Sequence, residues 1–108
     1  MDINKYDIII TLATYQEINK IYDYITENLY AESAAKRLMK KIEQKIKELK
    51  YAPRIHIEVQ MVDRLKRRYR KIVINNYIIL YTIDEDNKIV FISHMYYSGR
   101  NYINNDLL

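Results

Sequence analysis

Residues 69–83 read YRKIVINNYIILYTI, two apolar runs that are separated by two adjacent asparagines. Runs of isoleucine, valine and tyrosine of this length are typical of β-strands. Asparagine adopts positive φ more readily than other residues that carry a side chain, so Asn75 and Asn76 predict a tight turn. The stretch therefore predicts a β-hairpin with strands at 69–74 and 77–83.

Further strands are predicted on both sides of this hairpin. The polar residues 84–87 (DEDN) predict a second turn, and the apolar residues 88–96 predict the next strand. Residues 55–60 alternate apolar and polar side chains, which favours a short or edge strand, and residues 64–67 are predicted as a loop. This half of the chain thus predicts an antiparallel meander.

The first half of the chain predicts one strand and one helix. The isoleucine-rich residues 5–12 predict the strand. Thr14 and Glu17 form a capping-box pattern, which predicts a helix start at Thr14. An apolar face then recurs at spacings of three and four residues, at Ile18, Ile21, Tyr22, Ile25 and Leu29.

A second helix is predicted from Glu32 or Ser33 and must end before Pro53, because proline cannot continue a helix. Its predicted buried face consists of Ala34, Ala35, Leu38, Met39, Ile42, Ile46 and Leu49, and lysines and arginines occupy the other side. Two helices with a short join form an antiparallel hairpin, which must cover the sheet. We therefore predict a single α+β domain: an N-terminal strand, then a helical hairpin packed on an antiparallel sheet of about four strands.

Composition narrows the classes of function. The chain has 108 residues, no cysteine and a net charge of +4. The lack of cysteine excludes disulfides and thiolate chemistry, and the mild positive charge permits an anionic partner. Because no apolar run approaches the roughly 20 residues of a membrane span and no signal-peptide pattern is present, we expect a cytoplasmic protein with no membrane partner.

Two motifs carry a resemblance to a known family. Residues 70–81 (RKIVINNYIILY) show an arginine, an apolar strand, a turn and a strand that begins and ends with tyrosine. Residues 97–102 (YSGRNY) place Arg100 after the last strand. Together with the helical hairpin and Pro53, these motifs resemble the RelE/ParE superfamily of toxins from bacterial type II toxin–antitoxin systems.

The resemblance implies a growth-inhibiting toxin that a cognate antitoxin neutralises. RelE-like members cleave messenger RNA on the ribosome, whereas ParE-like members inhibit DNA gyrase. The implied partners are therefore an antitoxin and either DNA gyrase or the ribosome with its mRNA. A homodimer and a toxin–antitoxin hetero-oligomer both remain open.

The strongest local feature is the basic segment 64–71 (RLKRRYRK), in which six of eight residues are basic. Such a cluster predicts salt-dependent binding to nucleic acid, and an acidic antitoxin would satisfy it equally well. The alternative is a solvated loop whose charge only aids solubility. The predicted binding residues are Arg67, Arg68, Tyr69, Arg70, Lys71 and Arg100, with Tyr69 stacking on a base.

Lys71 and Arg100 are the candidate catalytic residues that the resemblance implies, and His94 and Tyr102 are possible additions. Strand alternation places His94 on the face opposite to Met95. The pattern of the RelE-like nucleases expects a lysine where this chain has Tyr69 and an arginine where it has Ile78.

These departures favour a ParE-like toxin over a RelE-like, metal-independent endoribonuclease. A non-toxic RNA- or protein-binding module of the same fold is the third reading. No cofactor and no metal site is expected, because the acidic run at 84–86 lacks the spacing and the glycine of a calcium loop.

Overall fold

The computed structural model of the chain describes residues 4–62 and 68–99. The described elements are β1 (Asp7–Ile10), α1 (Leu12–Asp23) with a π-helical turn (Tyr24–Asn28), α2 (Glu32–Glu48), β2 (Glu58–Val62), β3 (Arg68–Ile74), β4 (Tyr77–Asp84) and β5 (Ile89–Tyr97). The predicted 64–67 loop lies outside the described residues, which include its flanking strands. The predicted α+β fold is confirmed.

The five strands form one sheet in the order β1-β5-β4-β3-β2. Strands β2 to β5 are antiparallel neighbours, as the meander predicted. The N-terminal strand is not separate from them, because β1 pairs with β5 in parallel, with Asp7 opposite Ile89. The sheet is therefore mixed, and its first and last described strands are direct neighbours.

The main core lies between one face of the sheet and the two helices. From α2 it takes Ala35, Leu38, Ile42 and Ile46, and from the sheet it takes Ile72, Ile74, Ile79, Tyr81, Val90, Ile92 and Met95, among others. Burial of this apolar surface is the principal term that holds the helices on the sheet. The apolar face predicted for α2 is thus the face that packs.

A smaller cluster lies on the other side of the sheet, which we call the open face. Tyr69, Leu80 and Tyr96 are buried there, and Val59 and Ile78 pack against them. Because side chains alternate along each strand, the open face carries every second residue of β3, β4 and the end of β5. It is the face that the helices leave uncovered.

Helix α1 begins three residues earlier than predicted. Its N-cap is Thr11, whose Oγ1 accepts a hydrogen bond from the backbone N–H of Thr14 at 3.2 Å. The prediction that Thr14 caps the helix is wrong, because Thr14 is fully buried and its hydroxyl donates to the carbonyl of Ile92 at 3.0 Å. Because Ile92 is far from Thr14 in the sequence, no pattern near Thr14 could have predicted this hydrogen bond.

The helical hairpin is confirmed, but its tip departs from the predicted periodicity. The last turn of the first helix is a π-helix, which inserts an extra residue per turn and so rotates the residues that come after it. Ile25 remains buried, whereas Leu29 is 54% exposed. The predicted inward position of Leu29 is therefore wrong.

Strand β2 begins at Glu58, three residues later than predicted. Ile55 and Ile57 are exposed, so the alternation of this segment does not point them inward. Its backbone is engaged elsewhere, because Arg70 donates from Nη1 to the carbonyl of His56 at 2.8 Å and to that of Arg54 at 3.4 Å. The guanidinium of Arg70 thus binds two backbone carbonyls that would face solvent if this segment were an edge strand.

Both predicted turns are present. Asn75 has a φ of 53°, the positive value that the asparagine pair predicted. In the second turn the side chain of Asp84 accepts from the backbone N–H of Asn87 at 3.2 Å and from its Nδ2 at 2.9 Å. These hydrogen bonds hold the pKa of the Asp84 carboxyl below its usual value, so an ionised side chain stabilises the turn.

Candidate functional site

The candidate site residues of β3, β4 and β5 form two cross-strand rows on the open face. In one row Lys71 pairs with Leu80, and Leu80 pairs with His94. In the next row Val73 pairs with Ile78, and Ile78 pairs with Tyr96. The structure therefore brings Lys71 and His94 to the same face of the sheet, as strand alternation predicts for residues of one row.

A bulge in β5 places His94 on this face. Tyr81 of β4 pairs with Ile92, but the preceding Leu80 pairs with His94, so Ser93 is an extra residue. Ile92 belongs to the core under the helices, and in a regular strand His94 would point to the same side. The bulge reverses this alternation and directs His94 and Tyr96 to the open face.

Two threonines at the start of α1 bind the carbonyls of this bulge. Thr14 Oγ1 donates to the carbonyl of Ile92 at 3.0 Å, and Thr11 Oγ1 donates to that of Ser93 at 3.1 Å. The backbone N–H of Thr11 also donates to the Ile92 carbonyl, at 3.0 Å. The helix start therefore satisfies the acceptors that a bulge leaves without ladder partners. Sequence reasoning missed both residues as positioning groups.

In the described part of the predicted basic segment, Arg68 and Arg70 line one pocket, and Lys71 lies on the other face of the sheet. Arg68 lies 3.5 Å from a carboxylate oxygen of Glu58. Arg70 pairs across to Tyr81 of the helix-covered face and donates to the loop carbonyls before β2. Lys71 alone of these three basic residues lies on the open face. Arg67, Arg100 and Tyr102 lie outside the described residues.

Tyr69 is a core residue of the open face, with only 2% of its surface exposed. It packs with Leu80 and Tyr96, which is 3% exposed. A base could stack on the Tyr69 ring only after this cluster opened. Ile78 packs against the same cluster, so the position at which the nuclease pattern expects an arginine is apolar in structure as well as in sequence.

The open face offers limited means for phosphodiester chemistry among the described residues. Lys71 and His94 stand on strands that are separated by β4, so their Cα atoms are roughly 10 Å apart, with Leu80 between them. Concerted proton transfer requires catalytic groups within hydrogen-bond reach of the reacting atoms. Within residues 4–62 and 68–99, no group of three His, Cys, Asp or Glu side chains is placed to hold a metal ion.

Gly99 determines how the chain leaves the sheet toward Arg100. A Cβ at this position would lie 2.8 Å from Cε1 of Tyr97, so only glycine lets the backbone cross that ring so closely. The Tyr97 ring in turn packs edge-on against Tyr77, with ring centroids 6.0 Å apart. Ser98 donates from its backbone N–H to the Asn76 carbonyl at 2.8 Å. Ser98 and Gly99 thus lie beside the β3–β4 turn.

Tyr81, the last residue of the quoted hairpin motif, has a structural role. Its hydroxyl donates to the carbonyl of Pro53 at 2.6 Å, and the His56 ring packs edge-on against it at 6.2 Å. Burial raises the pKa of Tyr81 to about 12 and lowers the pKa of His56. These contacts fasten the segment between α2 and β2 to the centre of the sheet.

We expect the Tyr81→Phe variant to be less stable by about 1–2 kcal/mol at neutral pH, because the buried Pro53 carbonyl loses its donor. The pKa of Tyr81 is raised in the folded state, so the folded protein holds this proton more tightly than the unfolded chain. The stabilisation is complete below pH 10 and is lost as the pH rises towards 12. Urea titrations of both proteins at several pH values measure it. A difference that stayed constant between pH 9 and 12 would contradict the raised pKa.

Across the described residues, none of the helices combines the length and apolar character that crossing a bilayer requires.

Comparisons with known proteins were made for the sequence and for the fold. The family model described as "ParE toxin of type II toxin-antitoxin system, parDE" matches residues 8–102. No curated protein matches the chain. Among solved structures, a chain of the crystal structure of the archaeal RelE–RelB complex from Pyrococcus horikoshii OT3 is similar, with a TM-score of 0.55 and 12% identity. The match covers 89% of this chain and 98% of that chain, and at this identity it shows a shared fold.

Proposed function

The chain belongs to the ParE toxin family of type II toxin–antitoxin systems, and we propose that it arrests growth by inhibiting DNA gyrase until a cognate antitoxin binds it. The observation that carries the choice of target is the composition of the open face. Of the three basic residues in the described part of the basic segment, only Lys71 lies there, next to the apolar and aromatic cluster that includes Tyr69 and Leu80.

The surroundings of Lys71 favour binding over catalysis. Cleavage of a phosphodiester requires several charged groups that are preorganised around one phosphate. Tyr69 and Ile78 occupy two positions where the nuclease pattern expects cations, and both belong to the apolar cluster. Adding a cation at either position would require desolvation of a charge against this cluster, which is costly without a partner.

A RelE-like endoribonuclease is the second candidate, and one observation favours it. The bulge at Ser93 places His94 in the same cross-strand row as Lys71. Arg100 and Tyr102 follow β5 directly in the sequence and would complete such a site. In this reading Lys71 and Arg100 stabilise the charge of the transition state, and His94 or Tyr102 transfers a proton.

An antitoxin is the partner we propose for either activity. The similar archaeal structure is titled as a complex of RelE with RelB. The net charge of +4 suits an acidic antitoxin segment, and we propose that Arg67, Arg68, Tyr69, Arg70, Lys71 and Arg100 contribute to its binding or to that of nucleic acid. We place the complex in the cytoplasm as a toxin–antitoxin hetero-oligomer.

The test of the proposed target is induced expression in a bacterial host that lacks the antitoxin. We expect DNA synthesis, followed by pulse labelling, to fall before protein synthesis, and the cells to filament. Purified protein should inhibit supercoiling by DNA gyrase in the same range of concentrations. The Lys71→Ala variant should remain as toxic as the unaltered protein, because a gyrase inhibitor does not use this ammonium group for chemistry.

Two other outcomes of the expression experiment would contradict inhibition of DNA gyrase. A prompt fall in protein synthesis that Lys71→Ala or Arg100→Ala abolishes, with the variants still folded, would establish the endoribonuclease. Normal growth with soluble protein present would establish a non-toxic binding module of the same fold. Val73→Ala is the matched control, because Val73 lies on the same strand and face as Lys71 but carries no charge.

A further inference from the structure

Helix α2 carries a surplus of positive charge. Its 17 residues include six lysines and arginines against three glutamates, a surplus of three positive charges in a chain whose net charge is +4. We define the outer face of α2 by five exposed residues that share one side of the helix: Arg37, Lys40, Lys41, Gln44 and Lys47. Four of these five side chains are cationic.

The position of this face is fixed by packing on the opposite side of the helix. Leu38, Ile42 and Ile46 are buried in the main core, so α2 cannot rotate about its axis without exposing them. The outer-face residues are separated by one, three and four positions, which keeps them on one side of a helix. From Arg37 to Lys47 the row is about 15 Å long.

The charges of this row are not neutralised locally. The glutamate at the start of α2, Glu32, pairs with Lys36 at 3.2 Å, on the flank of the helix. Lys41 Nζ donates to the neutral Oδ1 of Asn75 at 3.1 Å. Within the described chain, no carboxylate lies at ion-pair distance from Arg37, Lys40 or Lys47. The row therefore keeps an excess of positive charge at the surface, although the exposed carboxylates of Glu43 and Glu48 lie on the same helix.

The chemistry of the row suits a polyanion better than a folded protein. Protein interfaces rely on buried apolar and aromatic anchors, and none of the five outer-face side chains is apolar. Interfaces with nucleic acid are more polar and more strongly positive. A duplex carries one charge per roughly 1.7 Å of axis, so a row of this length faces about nine phosphates.

We propose that the outer face of α2 binds the phosphate backbone of double-stranded DNA, without preference for sequence. The major groove of B-form DNA, about 12 Å wide, accepts a helix about 10–12 Å in diameter, whereas the major groove of A-form RNA is deep and narrow. The contacts run from lysine, arginine and glutamine side chains to phosphates, which position a protein without reading bases. This activity is independent of the target that the toxin inhibits.

The test is fluorescence anisotropy with a labelled DNA duplex of about 20 base pairs, at several salt concentrations, with full-length protein from cell-free translation. Each phosphate that is neutralised contributes about −0.9 to the slope of log K against log salt concentration. The variant Arg37→Gln/Lys40→Gln/Lys41→Gln should therefore bind more than tenfold more weakly in low salt. Its slope should be shallower than that of the unaltered protein by about 2.7.

Two control variants assign the binding to α2. Lys20→Gln removes one exposed charge from α1, where Lys20 pairs with Glu17, and should leave the affinity and the slope almost unchanged. Arg64→Gln/Lys66→Gln/Arg67→Gln removes three charges from the basic segment before β3. This second variant should retain the contribution of α2, and circular dichroism verifies that each variant is folded.

The proposal is overturned if the α2 variant keeps the affinity and the slope of the unaltered protein. It is also overturned if the change at 64–67 abolishes binding while the change in α2 does not. Tighter binding to an A-form RNA duplex would assign the surface to RNA instead. Binding to polyglutamate without binding to DNA would assign it to an acidic polypeptide.

Discussion

Replacement of Tyr69 by alanine is expected to lower the free energy of unfolding by about 3–5 kcal/mol, the range for truncation of a large buried aromatic side chain. Tyr69 is 2% exposed and anchors the cluster that it forms with Leu80 and Tyr96. Its removal leaves a cavity on the open face, where no helix can move in to fill the space. Urea denaturation followed by circular dichroism measures the loss.

Two comparisons separate packing from other roles of Tyr69. Val73 lies further along β3 on the same face but is 58% exposed, so Val73→Ala should cost under about 1 kcal/mol. Tyr69→Phe keeps the ring and should restore most of the stability that alanine loses. An unfolding free energy that Tyr69→Ala left unchanged would mean that the ring is on the surface and free to stack on a base.

Replacement of Thr14 by valine is expected to cost about 1 kcal/mol, because a buried carbonyl at the bulge loses one of its two donors and keeps the backbone N–H of Thr11, while the side-chain volume stays nearly the same. The lost bond is the one from Thr14 Oγ1 to the carbonyl of Ile92. The cap of α1 is kept, because it is formed by the backbone N–H of residue 14 and Thr11 Oγ1. Urea denaturation gives the size of the effect.

Thr26→Val is the matched control for this substitution. Thr26 Oγ1 donates to the carbonyl of Tyr22, a contact within its own helix, at 3.0 Å. A hydroxyl that bonds back to its own helix adds little stability, so we expect a change within about 0.5 kcal/mol. Equal losses in the two variants would show that the bulge does not depend on Thr14. Loss of the nuclear Overhauser contacts between Leu80 and His94 in Thr14→Val would show that the bulge positions the open face.

The elements that sequence reasoning predicted correctly are those with local signals. The apolar repeat of α2 predicted Leu38, Ile42 and Ile46 as its buried face, and all three are buried. The asparagine pair predicted the β3–β4 turn, and Asn75 has the positive φ that such a turn uses. These features depend on neighbours within a few residues, so periodicity and turn chemistry determine them.

The features that were missed depend on contacts between distant parts of the chain. The Thr14–Glu17 pattern favoured a cap at Thr14, but the carbonyl of Ile92 takes its hydroxyl. Ile55 and Ile57 alternate as a strand would, but Arg70 draws the preceding carbonyls out of the ladder. Charge density predicted one basic site at 64–71, whereas in the described part of this segment alternation puts Lys71 on the open face and Arg68 and Arg70 on the other face.

The position of β5 has a consequence for synthesis of the protein. The parallel partner of β1 is β5, so Asp7 cannot pair with Ile89 until nearly all of the described chain has been translated. Until then β1 and β4 both keep an unpaired edge, and we expect a contact between residues so far apart in sequence to form late in folding. Before β5 has been synthesised, the chain lacks the strand that pairs with both β1 and β4. An antitoxin that recognises the completed sheet has nothing to bind before that moment.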